Sequence, residues 1–118
     1  MLACDIDSGS VHVARENVRQ NGLAARIRLL HGNGYRHRAI SRAAPFDLVT
    51  ANILARPLAA MAGDLAAVLA PGGVAILSGL VTRQVPLVLA AHRARGLSLR
   101  RRIGVEGWET LLVERRRC

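Results

Sequence analysis

The chain predicts an α/β fold: a mostly parallel sheet wound with helices and ending in an antiparallel strand pair. Three observations carry that prediction. Short apolar runs alternate with stretches whose apolar residues recur at helical spacing, the pattern of strand–helix–strand units. Two of those runs end in a polar side chain, Asp5 and Asn52, where open α/β sheets bind ligands. The last two runs, at residues 97–105 and 109–115, have no helix between them and join around Glu106-Gly107-Trp108.

Taken in order, residues 1–6 read as a short buried strand closed by the acidic pair Asp5 and Asp7. Asp7-Ser8 supplies a helix N-cap. Val11, Ala14 and Val18 then recur at helical spacing through residues 10–20. Asn21-Gly22 stops this helix, because glycine suits the left-handed position after a helix end. Ile27, Leu29 and Leu30 form a second strand. His31-Gly32-Asn33-Gly34 is a loop rich in turn residues, and residues 35–44 read as irregular or weakly helical.

Residues 46–51 form the third strand, continuous enough in apolar character to be buried. One helix follows over residues 56–69, with Pro57 tolerated in its first turn. Leu58, Met61, Leu65 and Leu69 are its apolar stripe. Pro71-Gly72-Gly73 is a sharp turn, residues 74–78 a fourth strand, and residues 84–95 a last helix stopped by Gly96. No repeat or linker interrupts this order, so residues 1–118 read as a single domain.

Composition narrows the function classes. A chain of 118 residues supports one small core. With 51% hydrophobic but 3% aromatic residues, that core must be Ala, Val, Leu and Ile. No apolar run approaches the ~20 residues of a membrane span, and Asp5 and Asp7 break any signal-peptide pattern. Cys4 and Cys118 stand at opposite ends without metal-ligand spacing and read as incidental, reduced thiols of a cytoplasmic protein. His12, His31, His37 and His92 are scattered and read as surface or loop residues. The net charge of +9 raises nucleic acid as a partner. Yet the excess is all Arg, and only Tyr35, Phe46 and Trp108 are available to stack on bases. This argues against direct nucleic-acid binding, while leaving a basic protein that visits ribosomes compatible.

The two strand-end residues are the site candidates. An ionised carboxylate at Asp5 accepts both hydroxyls of a ribose; the alternative is that it caps the next helix. Asp7 takes the capping role here and leaves Asp5 for ribose. Asn52 by itself reads first as the cap of the following helix. Nucleotide-binding sheets of this kind place a strand, a glycine-rich turn and a helix before the acid-terminated strand. This chain begins at the acid-terminated strand.

Several motifs together are more specific. They are Cys4-Asp5-Ile6-Asp7 ahead of a helix carrying Ala14-Arg15-Glu16-Asn17, Phe46-Asp47-Leu48-Val49 running into Asn52, and Leu69-Ala70-Pro71-Gly72-Gly73. This combination resembles a class I S-adenosylmethionine-dependent methyltransferase. Asn52-Ile53-Leu54-Ala55-Arg56-Pro57-Leu58, with Leu77-Ser78-Gly79-Leu80 and Glu106-Gly107-Trp108, is similar to the family that methylates large-subunit ribosomal protein eleven. The resemblance covers essentially the whole chain.

That resemblance implies an incomplete Rossmann-like class I methyltransferase fold, with residues 1–118 as the C-terminal part of a catalytic domain. The first strand, its glycine-rich loop and a substrate-recognition domain are expected before Met1. It implies S-adenosylmethionine as cofactor, with Asp5 at the ribose and Asn52 at both cofactor and target nitrogen. Asn33 stands where many relatives carry an acid that contacts the adenine amino group; it reads equally as a plain turn residue. The implied reaction is N-methylation of a lysine side chain or α-amine of a large-subunit ribosomal protein. Ile53 and Leu54 stand where nucleic-acid and glutamine methyltransferases carry Pro-Pro, which favours the ribosomal-protein branch. With the glycine loop outside the chain, cofactor binding is expected to be weak or absent until an N-terminal segment or another chain completes the site.

Two competing readings remain. A nicotinamide-dependent oxidoreductase would also use Asp5, but a chain without Lys has no Tyr/Lys catalytic pair. A basic, ribosome- or RNA-associated module with a decayed methyltransferase fold needs no catalysis at all.

Overall fold

The computed structural model describes residues 1–117; Cys118, the second of the two expected thiols, lies outside the described residues. The chain forms two compact units, Met1–Arg42 and Ala43–Cys118.

The first unit contains strand β1 (Leu2–Asp5), helix α1 (Ser8–Gln20), strand β2 (Arg28–His31), a 3-10 turn (Gly34–Arg36) and most of helix α2 (Arg38–Ala43). β1 and β2 pair in parallel, with Leu2 opposite Arg28 and Asp5 opposite His31. The Asp7 side chain caps α1 by accepting from the Gly9 N–H at 2.9 Å. At the other end Gly22 takes φ +69. There the Leu23 N–H donates to Val18 O at 2.9 Å and the Gly22 N–H to Arg19 O at 3.1 Å. These two bonds form the Schellman closure that Asn21-Gly22 predicts. Val11, Leu30 and Ile40 are the buried apolar side chains of this unit.

The second unit holds strand β3 (Phe46–Asn52), helices α3 (Ala55–Ala60) and α4 (Ala62–Val68), and the long strand β4 (Leu69–Val81). A 3-10 turn (Thr82–Gln84), helix α5 (Val85–Arg93) and strands β5 (Leu97–Val105) and β6 (Trp108–Arg115) complete it. Its sheet runs β3-β4-β6-β5. β3 is parallel to β4, whereas β6 is antiparallel to both β4 and β5. The expected antiparallel end is therefore present. Glu106 (φ +52) and Gly107 (φ +83) form the two-residue turn between β5 and β6, and positive φ at both positions matches the right-handed strand twist.

Among the described residues the strands form two sheets, β1-β2 and β3-β4-β6-β5. Four details differ from the sequence expectation. The helix expected over residues 56–69 is two helices divided at Met61, which sits at φ −91, ψ 3. The break preserves the stripe: Leu58, Leu65 and Leu69 are all buried. Apolar spacing does not distinguish a straight helix from a bent pair that keeps the same face inward.

The turn at Pro71-Gly72-Gly73 lies inside β4 instead of before it. Phe46 pairs with Leu69 but Leu48 with Val74, so a two-residue step on β3 faces a five-residue step on β4. Gly72 takes φ +80, and a Cβ on Gly73 would stand 2.9 Å from Phe46 O and 2.8 Å from Ala70 O. Backbone contact this close admits only glycine.

β3 itself is less buried than its apolar run suggests. Leu48 is 59% exposed and Thr50 is exposed. The buried side chains of β4 and β6 (Ala75, Leu77, Leu111 and Val113) alternate with less buried ones along each strand, and α3 and α5 contact this sheet. Leu48, paired with Val74, projects from the face opposite those buried side chains. A parallel strand gains its burial from helices on both faces, and apolar composition alone does not supply them.

His92, expected at the surface, is 1% exposed on α5. Its Nδ1 lies 2.7 Å from Val88 O, so Nδ1–H donates to that carbonyl and leaves Nε2 without a partner. Burial pushes its pKa down, against a smaller upward pull from the Val88 carbonyl. Because the folded value lies below the unfolded one, the unfolded chain binds the proton more tightly. Stability is thus full above the ordinary histidine range near ~6.5 and declines as pH drops below it. Urea midpoints at mildly acidic and neutral pH should show this decline, and His92→Leu should flatten it. In the same assay Leu65→Ala, at a position with 0% exposure, should cost about 2–5 kcal/mol.

Candidate functional site

In the first unit, the carboxyl ends of β1 and β2 deliver Asp5 and His31 side by side. Asp7 takes the expected cap. Asp7 Oδ1 accepts from the Gly9 N–H, and Asp7 Oδ2 accepts from the Ser10 hydroxyl at 3.0 Å. The Ser10 hydroxyl, helped by the Gly9 N–H, holds the Asp7 carboxyl below the usual carboxylate range. Asp5 is exposed and accepts a single bond, from the Asp7 N–H to Oδ1 at 2.9 Å. Its Oδ2 has no partner among the described residues, so acceptor capacity remains for an incoming hydroxyl.

The loop after β2 is held by backbone and ring contacts. The Gly32 N–H donates to Asp5 O at 3.0 Å, and His31 Nε2 lies 2.9 Å from Ile6 O. A Cβ on Gly32 would meet the His37 ring at 2.5 Å. Asn33 is exposed at the N-cap position of the 3-10 turn, yet its side chain makes no capping bond. Its carboxamide therefore has no structural duty in that turn. Two residues on, Tyr35 has a buried hydroxyl without a partner among the described residues, and burial pushes its pKa up to about 12.

In the second unit, Asn52 ends β3 opposite Ser78 of β4. It does not cap the following helix. α3 begins at Ala55, its N-cap residue is Leu54, and no side chain bonds there. That removes the expectation that competed most directly with a site role. Asn52 is exposed, and Ile53 (36%) and Leu54 (75%) extend the exposure beyond it.

The sequence reading missed one neighbour. Gly79 takes φ +83, and a Cβ there would stand less than 3.0 Å from Asn52 Oδ1. The available signal was a glycine inside an apolar strand run, which marks a bulge or a close approach. Asp5 and Asn33 belong to the first unit and Asn52 to the second.

In the arginine runs at 100–102 and 115–117, Arg100, Arg102 and Arg115 bond within the fold. Arg102 Nε and Nη2 donate to the Glu109 carboxylate at 3.1 and 2.9 Å, and the Thr82 hydroxyl reaches the same carboxylate at 3.4 Å. The Arg102 guanidinium accordingly pulls the Glu109 carboxyl below its ordinary range. Arg100 pairs with Glu114, and Arg115 donates to Leu69 O. A surface depression bordered by Arg15, Val18, Arg19, Ile27 and Arg28 includes none of the three candidate residues. Among the described residues, no group of three or more His, Cys, Asp or Glu side chains is placed to hold a metal ion. No helix there is long and apolar enough to cross a membrane.

The chain is similar to known proteins in both sequence and fold. A family model described as "Ribosomal protein L11 methyltransferase (PrmA)" matches residues 1–116. The chain is 50% identical over 115 residues to the ribosomal protein L11 methyltransferase of Bradyrhizobium diazoefficiens, covering 98% of this chain and 39% of that protein. The protein of the same name from Rhizobium rhizogenes gives the same identity and coverage. The chain thus spans about two fifths of the length of the curated relatives it matches. Among solved structures, the ribosomal protein L11 methylase of Lactobacillus delbrueckii subsp. bulgaricus superposes with a TM-score of 0.88 at 29% identity, covering 98% of this chain and 57% of that one. A methyltransferase from Pyrococcus furiosus, at 19% identity and a TM-score of 0.76, shares the fold, over 96% of this chain and 60% of that one.

The division between the two aspartates is measurable by amide hydrogen exchange. Asp7→Ala should speed exchange at Gly9 roughly fivefold, the size expected for a lost cap. Asp5→Ala should release only the Asp7 N–H. Lowering the pH into and below the ordinary aspartate range should reproduce the Asp7→Ala effect. A carboxyl whose folded pKa is depressed loses its contribution as protonation overtakes it.

Proposed function

The chain belongs to the ribosomal protein L11 methyltransferase family, and we propose that it carries the acceptor-facing half of an S-adenosylmethionine-dependent protein N-methyltransferase. The observation that carries the reading is the placement of Asn52. It is an exposed carboxamide at the carboxyl end of a parallel strand, and capping of α3 does not employ it. In this reading the two units are parts of one catalytic domain of a cytoplasmic enzyme.

The hydrogen-bond acceptors suit the cofactor. Asp5 presents an exposed carboxylate with an unpartnered oxygen at a strand end, and it accepts the ribose hydroxyls. The Asn33 carboxamide, free of the 3-10 turn, accepts from the adenine amino group. S-adenosylmethionine supplies an electrophilic methyl group on a sulfonium. The Asn52 carbonyl accepts a hydrogen bond from the target amine and aims the nitrogen lone pair along the transfer direction. Alignment of that kind is a large source of rate in bimolecular transfer. A carboxamide does not act as a general base, so the lysine or α-amine of the ribosomal-protein substrate arrives neutral or gives its proton to water.

The chain holds Asp5 and Asn52 on two separate sheets, and among the described residues β1 and β3 each stand at a sheet edge. Unpaired edges accept further strands. The proposal assigns completion of the site to additional chain, in the same polypeptide or from a partner, that brings the glycine-rich cofactor loop.

Titration calorimetry tests the first consequence. The 118-residue chain should show no saturable binding at micromolar S-adenosylmethionine, whereas a chain extended to the length of its relatives should bind. In the extended chain, Asp5→Ala should weaken binding roughly tenfold or more, the cost of charge-assisted hydrogen bonds. Asn52→Ala should lower kcat for radiolabelled methyl transfer to the ribosomal protein about a hundredfold. An extended chain that neither binds the cofactor nor transfers methyl groups would return the assignment to the non-catalytic basic module.

A further inference from the structure

We propose that Gly79 is a positioning residue for Asn52, and that the β-bulge at Ser78-Gly79 exists to seat the Asn52 carboxamide. The inference rests on the reading of Asn52 as the residue that faces the amine. Its evidence is local to β3, β4 and β6.

β4 shifts register against β6 between Leu77 and Leu80. Leu77 pairs with Leu111 and Leu80 with Glu109, so three steps on β4 face two on β6. The additional residue makes a bulge, a device that bends a strand and re-aims the side chains beside it. Against its other neighbour, β4 stays in register from Val74 to Ser78, which stands opposite Asn52. The bulge therefore begins level with the end of β3.

Within it, Gly79 takes φ +83 and presents its α-carbon to the Asn52 side chain. A Cβ at this position would overlap Asn52 Oδ1 and stand 3.2 Å from Ile53 O. Gly96 (φ +81) and Gly107 (φ +83) share the backbone sign, but a Cβ on either meets nothing within 4 Å. Those two glycines serve the chain's turn; Gly79 also makes room for one particular polar group.

The mechanical consequence follows from where the overlap falls. Oδ1 is the far end of a short side chain that rotates about two bonds. A methyl group at position 79 displaces the carboxamide first, and the Ile53 carbonyl, 3.2 Å away, has less far to give. Gly79 thus determines where the Asn52 oxygen and nitrogen stand, and an error of about 1 Å in a group that aligns reactants costs on the order of a hundredfold in rate.

The test uses the full 118-residue chain labelled with nitrogen-15 and reads the side-chain amide signals of asparagine. Asn52→Ala identifies the Asn52 pair by its disappearance. Gly79→Ala should move that pair away from its wild-type position while the Asn17 and Asn21 pairs stay in place. Gly96→Ala, which imposes the same φ penalty without the overlap, should leave the Asn52 pair unmoved. An Asn52 pair that stays put in Gly79→Ala, or moves equally in Gly96→Ala, overturns the proposal. If Gly79→Ala does not fold, Gly79→Ala combined with Asn52→Ala should recover the fold, because the overlapping oxygen is gone. A double variant that also fails to fold overturns it. No cofactor enters these measurements, so they are independent of the methyl-transfer reading, whose own failure would appear as unchanged turnover in Asn52→Ala.

Discussion

The second unit depends on one strand with two different neighbours. β4 pairs in parallel with β3 along one edge and antiparallel with β6 along the other. The two ladders place their hydrogen bonds differently, and β4 carries an irregularity against each partner. Against β3, the Pro71-Gly72-Gly73 segment takes up three additional residues, with Gly73 against two backbone carbonyls. Against β6, Ser78-Gly79 takes up one. Between the irregularities lie Ala75 and Leu77, both fully buried, and the core formed with Leu58, Leu65, Val88, Leu111 and Val113 is organised around them. Glycine is the residue at both places because backbone or a polar side chain occupies the volume that a Cβ would take.

The same strand links core to surface chemistry. At its N-terminal end, Arg115 bonds to the Leu69 carbonyl. Just beyond its C-terminal end, Thr82 joins the Arg102–Glu109 pair that spans β5 and β6. Glu109 is 7% exposed, and a carboxylate so placed is tolerated when a bidentate guanidinium and a hydroxyl satisfy it. The arginines at positions 100, 102 and 115 therefore bind the sheet together before they offer charge to any partner. A high net charge is here partly a structural resource.

The two candidate half-sites follow one rule of α/β architecture: functional side chains stand at the carboxyl ends of parallel strands. Asp5 is positioned by β1 pairing with β2, and Asn52 by β3 pairing with β4. Each is exposed, and each is spared capping duty because a neighbour begins the next helix: Asp7 before α1 and Leu54 before α3. A fold hosts many functions, so the reading rests on these residues and on family membership more than on the sheet.

Much of this was legible from residue order. The strand–helix alternation, the Asp7 cap, the Asn21-Gly22 stop and the closing hairpin all rest on contacts between residues a few positions apart, and local propensity determines such contacts. The candidacy of Asp5 comes from its place at a strand end, whereas that of Asn33 and Asn52 comes from the family resemblance of the motifs around them. Tertiary structure alone decided the division at Met61, the exposure of Leu48, the burial of His92 and the seat of Asn52 over Gly79. Each depends on what another segment places against it: α3 and α5 against the sheet, and β4 beside β3. An apolar period reports that a residue prefers to be covered, and a glycine reports that space is needed. Neither names the neighbour, because packing is set by pairs of segments while a sequence is read along one.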